Sequence, residues 1–306
     1  MTATDAVRPL EERAEAPGWQ VWTNLWIVYV VWGSTYLAIS FMVETLPPLL
    51  AAGVRFLLVG LIVLPIVAIR HGLQVVRPTR RQLLACAGIG VALPGANAII
   101  SVAEQTVPSG LAALLVASIP LWVIILRRVS GDRIPLASLA AVLVGFAGVA
   151  LVVKPESGES ILAPLACVAA AALWAVGSFM SPRIDLPRNP LASTGWQSLL
   201  GGLVCVLAGL IAGEGGDVHP AAWSLKSLLG LAYLITFGSL LAFTAYAWLL
   251  QNAPISKVST YAYVNPVIAI ALGWLLQGES ISAQMLAGSA IVVLSVALVI
   301  RVESRR

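Results

Sequence analysis

Ten apolar blocks of helix length, the second five echoing the first five, constrain this chain more than any other feature. Each holds roughly 17 to 25 residues, enough to cross the hydrocarbon layer as a helix. They read as 22–41, 49–69, 83–101, 109–126 and 136–153, then 161–179, 192–212, 225–249, 258–276 and 283–300. Turn residues such as Leu46-Pro47-Pro48, Gly131-Asp132 and the stretch 213–220 separate them, and no connection is long enough for a soluble domain. Because five is odd, the second copy of the unit enters the membrane from the opposite face, the construction of inverted-repeat carriers. The expected fold is an all-α polytopic membrane protein with ten transmembrane helices in two inverted five-helix repeats. Its parts are a tail (1–21), a first repeat (22–155), a second repeat (156–301) and a closing tail (302–306).

Composition agrees, with 59% hydrophobic and 10% charged residues, well outside the range of a water-soluble domain. A net charge of +4 suggests nucleic acid until the charges are placed on the chain. With a cytoplasmic N-terminus, the inside segments hold fifteen Lys and Arg residues and the outside segments only Lys154 and Lys226, with Arg55 left in or near the membrane. The bias puts both termini in the cytoplasm, the expected location being a bacterial inner (plasma) membrane, and gives no reason to expect a nucleic-acid partner. The first block follows a polar stretch with Asp5, Glu11, Glu12 and Glu15, lacks a cleavage site, and is expected to stay as a signal anchor.

The repeat is legible in polar residues. Gln105-Thr-Val-Pro108 opens the fourth helix and Gln251-Asn-Ala-Pro254 the ninth, and a further proline follows twelve residues on, at Pro120 and at Pro266. Gly131-Asp132 matches Gly278-Glu279, and Trp32-Gly33-Ser34 has a looser echo in 174–178. Chance alignment of apolar residues accounts for matched Val/Ala/Leu runs, but not for the paired Gln and Pro positions. Together with Thr35-Tyr36, Pro48, Arg55-Phe56, Trp174-Ala175 and Tyr263-Val264-Asn265-Pro266, these features resemble the drug/metabolite transporter superfamily, specifically its EamA-type members. That resemblance runs from about Asn24 to Ile300. It implies a ten-helix exporter or permease of small metabolites, such as amino acids, aromatic compounds or cations.

Ionisable groups inside a span are costly and usually functional, yet no Asp or Glu falls in mid-helix. Glu44 and Glu104 sit at the outer ends of the first and third helices. Arg55 is read as a structural or gating residue that snorkels to the outer headgroups or ties to carbonyls or Glu44, because the resemblance implies a helix-end arginine whatever is carried. The missing mid-span acid favours facilitated movement, with Glu104 at the cavity mouth as the alternative coupling group.

A cavity is expected between the repeats, near midplane, where helices interrupted by proline free carbonyls. Its lining candidates are Trp32, Ser34, Tyr36, Asn97, Ser101, Ser118, Pro120, Trp174, Ser178, Thr244, Tyr246, Tyr261, Tyr263, Asn265 and Pro266, with Gln105, Pro108, Gln251 and Pro254 as structural or gating positions. Singly, each of these is better explained by packing or an interhelical hydrogen bond. Trp19, Trp22, Trp196, Trp223 and Trp274 fall near span ends and read as interfacial anchors.

Other classes fare worse. Cys86, Cys167 and Cys205 have no Cys-x-x-Cys spacing, and His71 and His219 lie in loops on opposite sides, so no metal or cofactor is expected. The spans offer Ser and Thr without His, Asp or Glu, which argues against a membrane-embedded enzyme. No Gly-x-x-x-x-Gly-Lys loop supports an ATP-driven pump, and a single-chain inverted repeat does not suggest an ion channel. The expected partners are a small-molecule solute and the bilayer. The Ala137-xxx-Ala141-xxx-Gly145 ridge is read as a contact with the tenth helix, and the protein as a monomer.

Overall fold

The computed structural model describes residues 17–153 and 160–303, apart from the side chains of Gln251, Ile255 and Ser256. The repeat boundary expected at 155/156, Lys154, and the tail arginines Arg8, Arg13, Arg305 and Arg306 lie outside the described residues. Among the described residues ten apolar helical segments follow one another: α1 (Gly18–Val43), α2 (Pro48–His71), α3 (Arg80–Ala103), α4 (Ser109–Val129), α5 (Leu136–Val153), α6 (Leu162–Arg183), α7 (Pro190–Ile211), α8 (Leu225–Leu250), α9 (Tyr261–Gln277) and α10 (Ala283–Glu303). All but α9 are long and apolar enough to cross the hydrocarbon. Large side chains such as Leu61, Leu143 and Leu294 stand uncovered on the outer faces, as contact with lipid tails requires.

The helix starts are written locally. Thr79 and Gln82 form a reciprocal capping box at α3. Asn189 caps α7 and Ser224 caps α8 through side-chain oxygens. At α2, Pro48 occupies the first turn and the Glu214 carboxylate accepts from the amides of Leu49 (3.1 Å) and Leu50 (2.8 Å).

Three spans are irregular. α4 breaks at Ala117–Ser118 into Ser109–Val116 and Ile119–Val129. Pro120 has no N–H to offer Val116, so that carbonyl is freed. α8 contains a π-helical stretch, Leu234–Leu241, and α9 ends in another, Gly273–Gln277. The sequence places the start of the ninth span at residue 258, but Ile255–Val258 is a separate turn of helix and α9 begins at Tyr261. The Thr260 hydroxyl bonds the Lys257 carbonyl at 2.6 Å and meets the Tyr29 hydroxyl, holding the chain out of a continuous helix.

Packing reproduces the repeat. α2 lies on α7, α4 on α9 and α5 on α10, while α1 packs against α8 and α9, and α6 against α3 and α4. Exchanging the two halves maps this set onto itself. Because each half crosses an odd number of times, the exchange inverts the direction of every helix, as two inverted repeats require.

Close approach carries the α2–α7 contact. A Cβ on Gly202 would lie 2.5 Å from the Leu57 amide nitrogen and 2.8 Å from the Gly53 carbonyl oxygen, so neither helix could yield without moving backbone. The ridge on α5 does face α10 through Gly145, where Ser295 and Leu121 are the neighbours, whereas Ala137 is exposed. Gly202→Val should therefore lower the thermal stability of the detergent-solubilised protein by about 1–3 kcal/mol. Gly88→Val, where nothing lies within 4 Å, should leave it unchanged; equal effects of the two in a thermal unfolding series would contradict this packing.

Candidate functional site

The irregular spans converge on the middle of the bundle. A cavity of about 100 Å³ lies there, lined on α1 by Trp32, Thr35 and Tyr36, on α2 by Arg55 and Phe56, and on α3 by Asn97. Trp174 of α6, Gly238 and Phe243 of α8, and Tyr261 and Asn265 of α9 complete its wall. Val116, whose carbonyl Pro120 frees, lines it too. A wider vestibule of about 390 Å³ sits on the side of the chain termini, bounded by Pro120, Ser178, Tyr246, Ser259, Arg127 and Glu303. Ile119, Trp174 and Tyr261 belong to both walls and form the partition between them.

Aromatic contacts hold that partition. The Trp32 ring meets Tyr246 and Tyr261, each at 5.1 Å between centroids, and Phe243 at 5.5 Å. Its Nε1 donates to the Gly238 carbonyl at 3.3 Å, which the π-helical stretch of α8 turns toward α1. Asn265, with its amide oriented to satisfy its neighbours, donates to the carbonyls of Tyr29 (3.3 Å) and Tyr261 (3.2 Å). Asn97 donates to Leu93 at 3.3 Å, within its own helix.

Arg55 departs from expectation. It is 4% exposed and lines the cavity, instead of reaching the headgroups. Its Nε donates to Ser239 at 3.1 Å, and its guanidinium carbon sits 4.8 Å from the centroid of the Phe56 ring. Glu44, the expected tie, pairs with Lys226 instead. Among the described residues no carboxylate forms an ion pair with Arg55. The seven-residue depth of Arg55 in α2 explains the outcome, since it places the group about 10 Å inside the helix and on the face turned to α8.

The other candidates divide. Trp32, Tyr36, Asn97, Trp174, Tyr261 and Asn265 line the central cavity, Ser178 and Tyr246 line the vestibule, and Pro120 and Pro266 line a small recess beside them. Ser34 instead bonds the Tyr233 hydroxyl at 2.7 Å and ties α1 to α8. Ser101 and Ser118 are buried and bond carbonyls of their own helices, Asn97 and Leu115. Thr244 is exposed on the outer surface of α8, and Tyr263 packs against the cluster between α4, α5 and α10. Gln105 and Pro108 lie in the loop before α4, Pro254 precedes the short helix before α9, and the Gln251 side chain lies outside the described residues. Trp196 bonds the Val76 carbonyl at 2.9 Å and Trp223 packs onto the α1–α2 end, so both are held by protein as well as by any interface. Sequence reasoning missed Thr35, Phe56, Gly238, Ser239 and Phe243. Thr35 stood within the quoted 32–36 run, but the π-helical register that turns Gly238 and Ser239 inward has no sequence signature.

The two ends of the bundle differ. The end away from the termini is sealed by Ile39, Met42, Leu46, Ile100 and Leu234 among other buried apolar groups. Glu279 latches it, accepting from the Ser109 amide and hydroxyl (both 2.7 Å) and the Gly110 amide (3.1 Å) at the start of α4. The end near the termini holds the vestibule. There Arg127 pairs with Asp132 (2.9 Å) and Glu303 (2.5 Å), and Glu303 also accepts from Ser138 (2.8 Å).

Residues 22–154 and 161–301 each match the EamA-like transporter family. The chain is 38% identical to an uncharacterized inner membrane transporter, YedA, of Escherichia coli (strain K12), over 90% of this chain and 89% of that protein. It is 26% identical to a protein of Salmonella typhimurium named "Probable amino-acid metabolite efflux pump", over 87% of this chain and 90% of that protein. A solved crystal structure superposes with a TM-score of 0.64 at 21% identity, covering 94% of this chain and 98% of that one, which speaks to the fold.

The partition makes a prediction of its own. Trp174→Ala should join vestibule and cavity, so that a Thr35→Cys thiol, slow to react with a water-soluble reagent in the parent, reacts several-fold faster. An unchanged rate would mean that Trp174 does not separate the two spaces.

Proposed function

Since the chain belongs to the EamA-like transporter family, an integral membrane protein class of two-fold repeats, we propose that it carries small amphipathic carboxylates, amino acids including aromatic ones foremost, through the central cavity by alternating access. The observation that carries this reading is Arg55. A guanidinium buried beside the cavity with no acidic partner among the described residues is costly in a bilayer, and a bound carboxylate would complete it with bidentate, charge-assisted hydrogen bonds. The facing aromatic wall of Trp32, Tyr36, Trp174 and Tyr261 suits an apolar or aromatic side chain. Amide groups and the carbonyl freed at Val116 suit an ammonium group.

A lipophilic cation is the poorer fit, because Arg55 repels it, and a neutral sugar leaves the cation uncompensated. The name of the Salmonella relative supports export of amino-acid metabolites. With the basic bias of the loops, the reading sets both termini in the cytoplasm of a bacterial inner membrane, so the vestibule faces inward and the sealed end outward. In this reading the repeats are the two working halves, 22–155 and 156–301, a monomer suffices, and solute moves without chemical conversion.

Flux of labelled phenylalanine, tryptophan and leucine into proteoliposomes tests it, with decarboxylated amines, a sugar and a lipophilic cation alongside. Arg55→Gln should weaken the apparent affinity for carboxylate-bearing solutes by about 10- to 100-fold. Elution profile and thermal midpoint should stay near the parent's, and any amine that is carried should be spared. Equal loss for carboxylates and amines would return Arg55 to a structural role. Robust sugar or cation flux without amino-acid flux would overturn the substrate class and leave the carrier standing.

A further inference from the structure

One buried acid takes no part in the solute cavity. Glu104 caps the end of α3, just past the span, and the sequence places it at a cavity mouth, yet it is 6% exposed and both carboxyl oxygens are buried without a hydrogen-bond partner. The titratable groups that face it are Tyr36 from α1, Cys167 from α6 and Glu279 from the turn after α9, none of them a cation, while the backbone of Ser40 on α1 acts the other way and favours the ionised form. Among the described residues no Lys, Arg or His pairs with it. Burial first, and then the nearby Glu279 carboxylate, push its carboxyl well above the usual carboxylate range.

Its position gives that state a consequence. Glu104 opens the five-residue link to α4, whose first amides are held by Glu279, and Tyr36, which it faces, lines the central cavity. The sealed end therefore holds, side by side, a half-buried carboxylate satisfied by a helix terminus and a buried carboxyl with no hydrogen-bond partner among the described residues. An isolated buried anion at that place would be strongly unfavourable. Opening that end would wet the carboxyl and restore its ordinary acidity.

We propose that Glu104 is a proton-binding site of the gate away from the termini, protonated when that end is sealed and ionised when it opens. On opening, the O–H bond of the carboxyl breaks and the proton passes to water; on closing, the carboxylate takes one back. The sign follows. A group whose acidity is weakened in the sealed form stabilises that form at low pH and loses that contribution as pH rises through its sealed-state value, so higher pH opens the gate. This rests on the reading of the protein as an alternating-access carrier but not on the identity of its solute.

The experiment reads the gate without a substrate. Met42→Cys, fully buried in the seal, is labelled by a membrane-impermeant maleimide in proteoliposomes, with and without Glu104→Gln, between about pH 6 and 8.5, above the ordinary carboxylate range. Glu104→Gln, which keeps the neutral shape, reports the reagent's own pH dependence, and protein with only the buried native cysteines gives the background. The labelling rate of Met42→Cys alone, divided by its rate when combined with Glu104→Gln, should rise with pH by up to about tenfold per unit. A ratio flat across the range, or faster labelling with Glu104→Gln than without it at high pH, would overturn the proposal. Because labelling needs no solute, a pH-dependent ratio alongside absent amino-acid flux would support the gate and sink the substrate reading alone. If Met42→Cys disturbs the seal, labelling of Val43→Cys under the same comparison gives the same test.

Discussion

Hydrocarbon supplies no hydrogen bonds, so each backbone amide and carbonyl in the membrane must be paired within the chain or face a polar cavity. Most of this bundle obeys the first option with plain helices. Three of the exceptions gather at its centre: the break in α4 with Pro120 after it, the π-helical turn of α8, and Pro266 in α9, whereas the π-helical end of α9 lies by Glu279 at the sealed end. Those three are the segments that line the cavity, and Arg55 sits against them. The cavity is where the fold can tolerate irregular backbone and an uncompensated charge together.

The same constraint shapes the ends. Amides at the starts of α2 and α4 are met by acids from distant sequence, Glu214 and Glu279, so the first turns of two helices depend on loops of the opposite repeat. Asp132, the counterpart of Glu279 in the first half, is bound to Arg127 instead. One end is sealed through a helix terminus, whereas its repeat-related end carries a side-chain ion pair and a vestibule. Two halves with related sequences thus occupy unlike arrangements, as the proposed alternating carrier would require in either of its forms.

Much of the fold was legible because its signals are local and redundant. Ten apolar runs, proline and glycine between them, and paired Gln and Pro positions each pointed to the same architecture, and matched spans of both halves to one family agree with it. The site was less so. Trp32, Tyr36, Trp174 and Tyr261 could be picked out as aromatic residues in mid-span, yet Thr244 and Tyr263 met the same criterion of polar or aromatic character and face lipid or packing instead. Composition names a residue type without the rotation of its helix, and a π-helical turn shifts that rotation for everything beyond it. Arg55 and Glu104 were both assigned to the membrane boundary from their distance along the helix. Their burial depends on which neighbours cover the helix end, a matter of tertiary packing.

In the proposed reading the cavity between the irregular spans is the solute site and Arg55 its carboxylate anchor. An experimental structure of the protein in lipid with tryptophan or phenylalanine bound should then show ligand density between Trp32, Trp174 and Tyr261, with the carboxylate within hydrogen-bond reach of the Arg55 guanidinium. Density confined to the vestibule, or a ligand in the cavity with its carboxylate turned away from Arg55, would speak against both assignments.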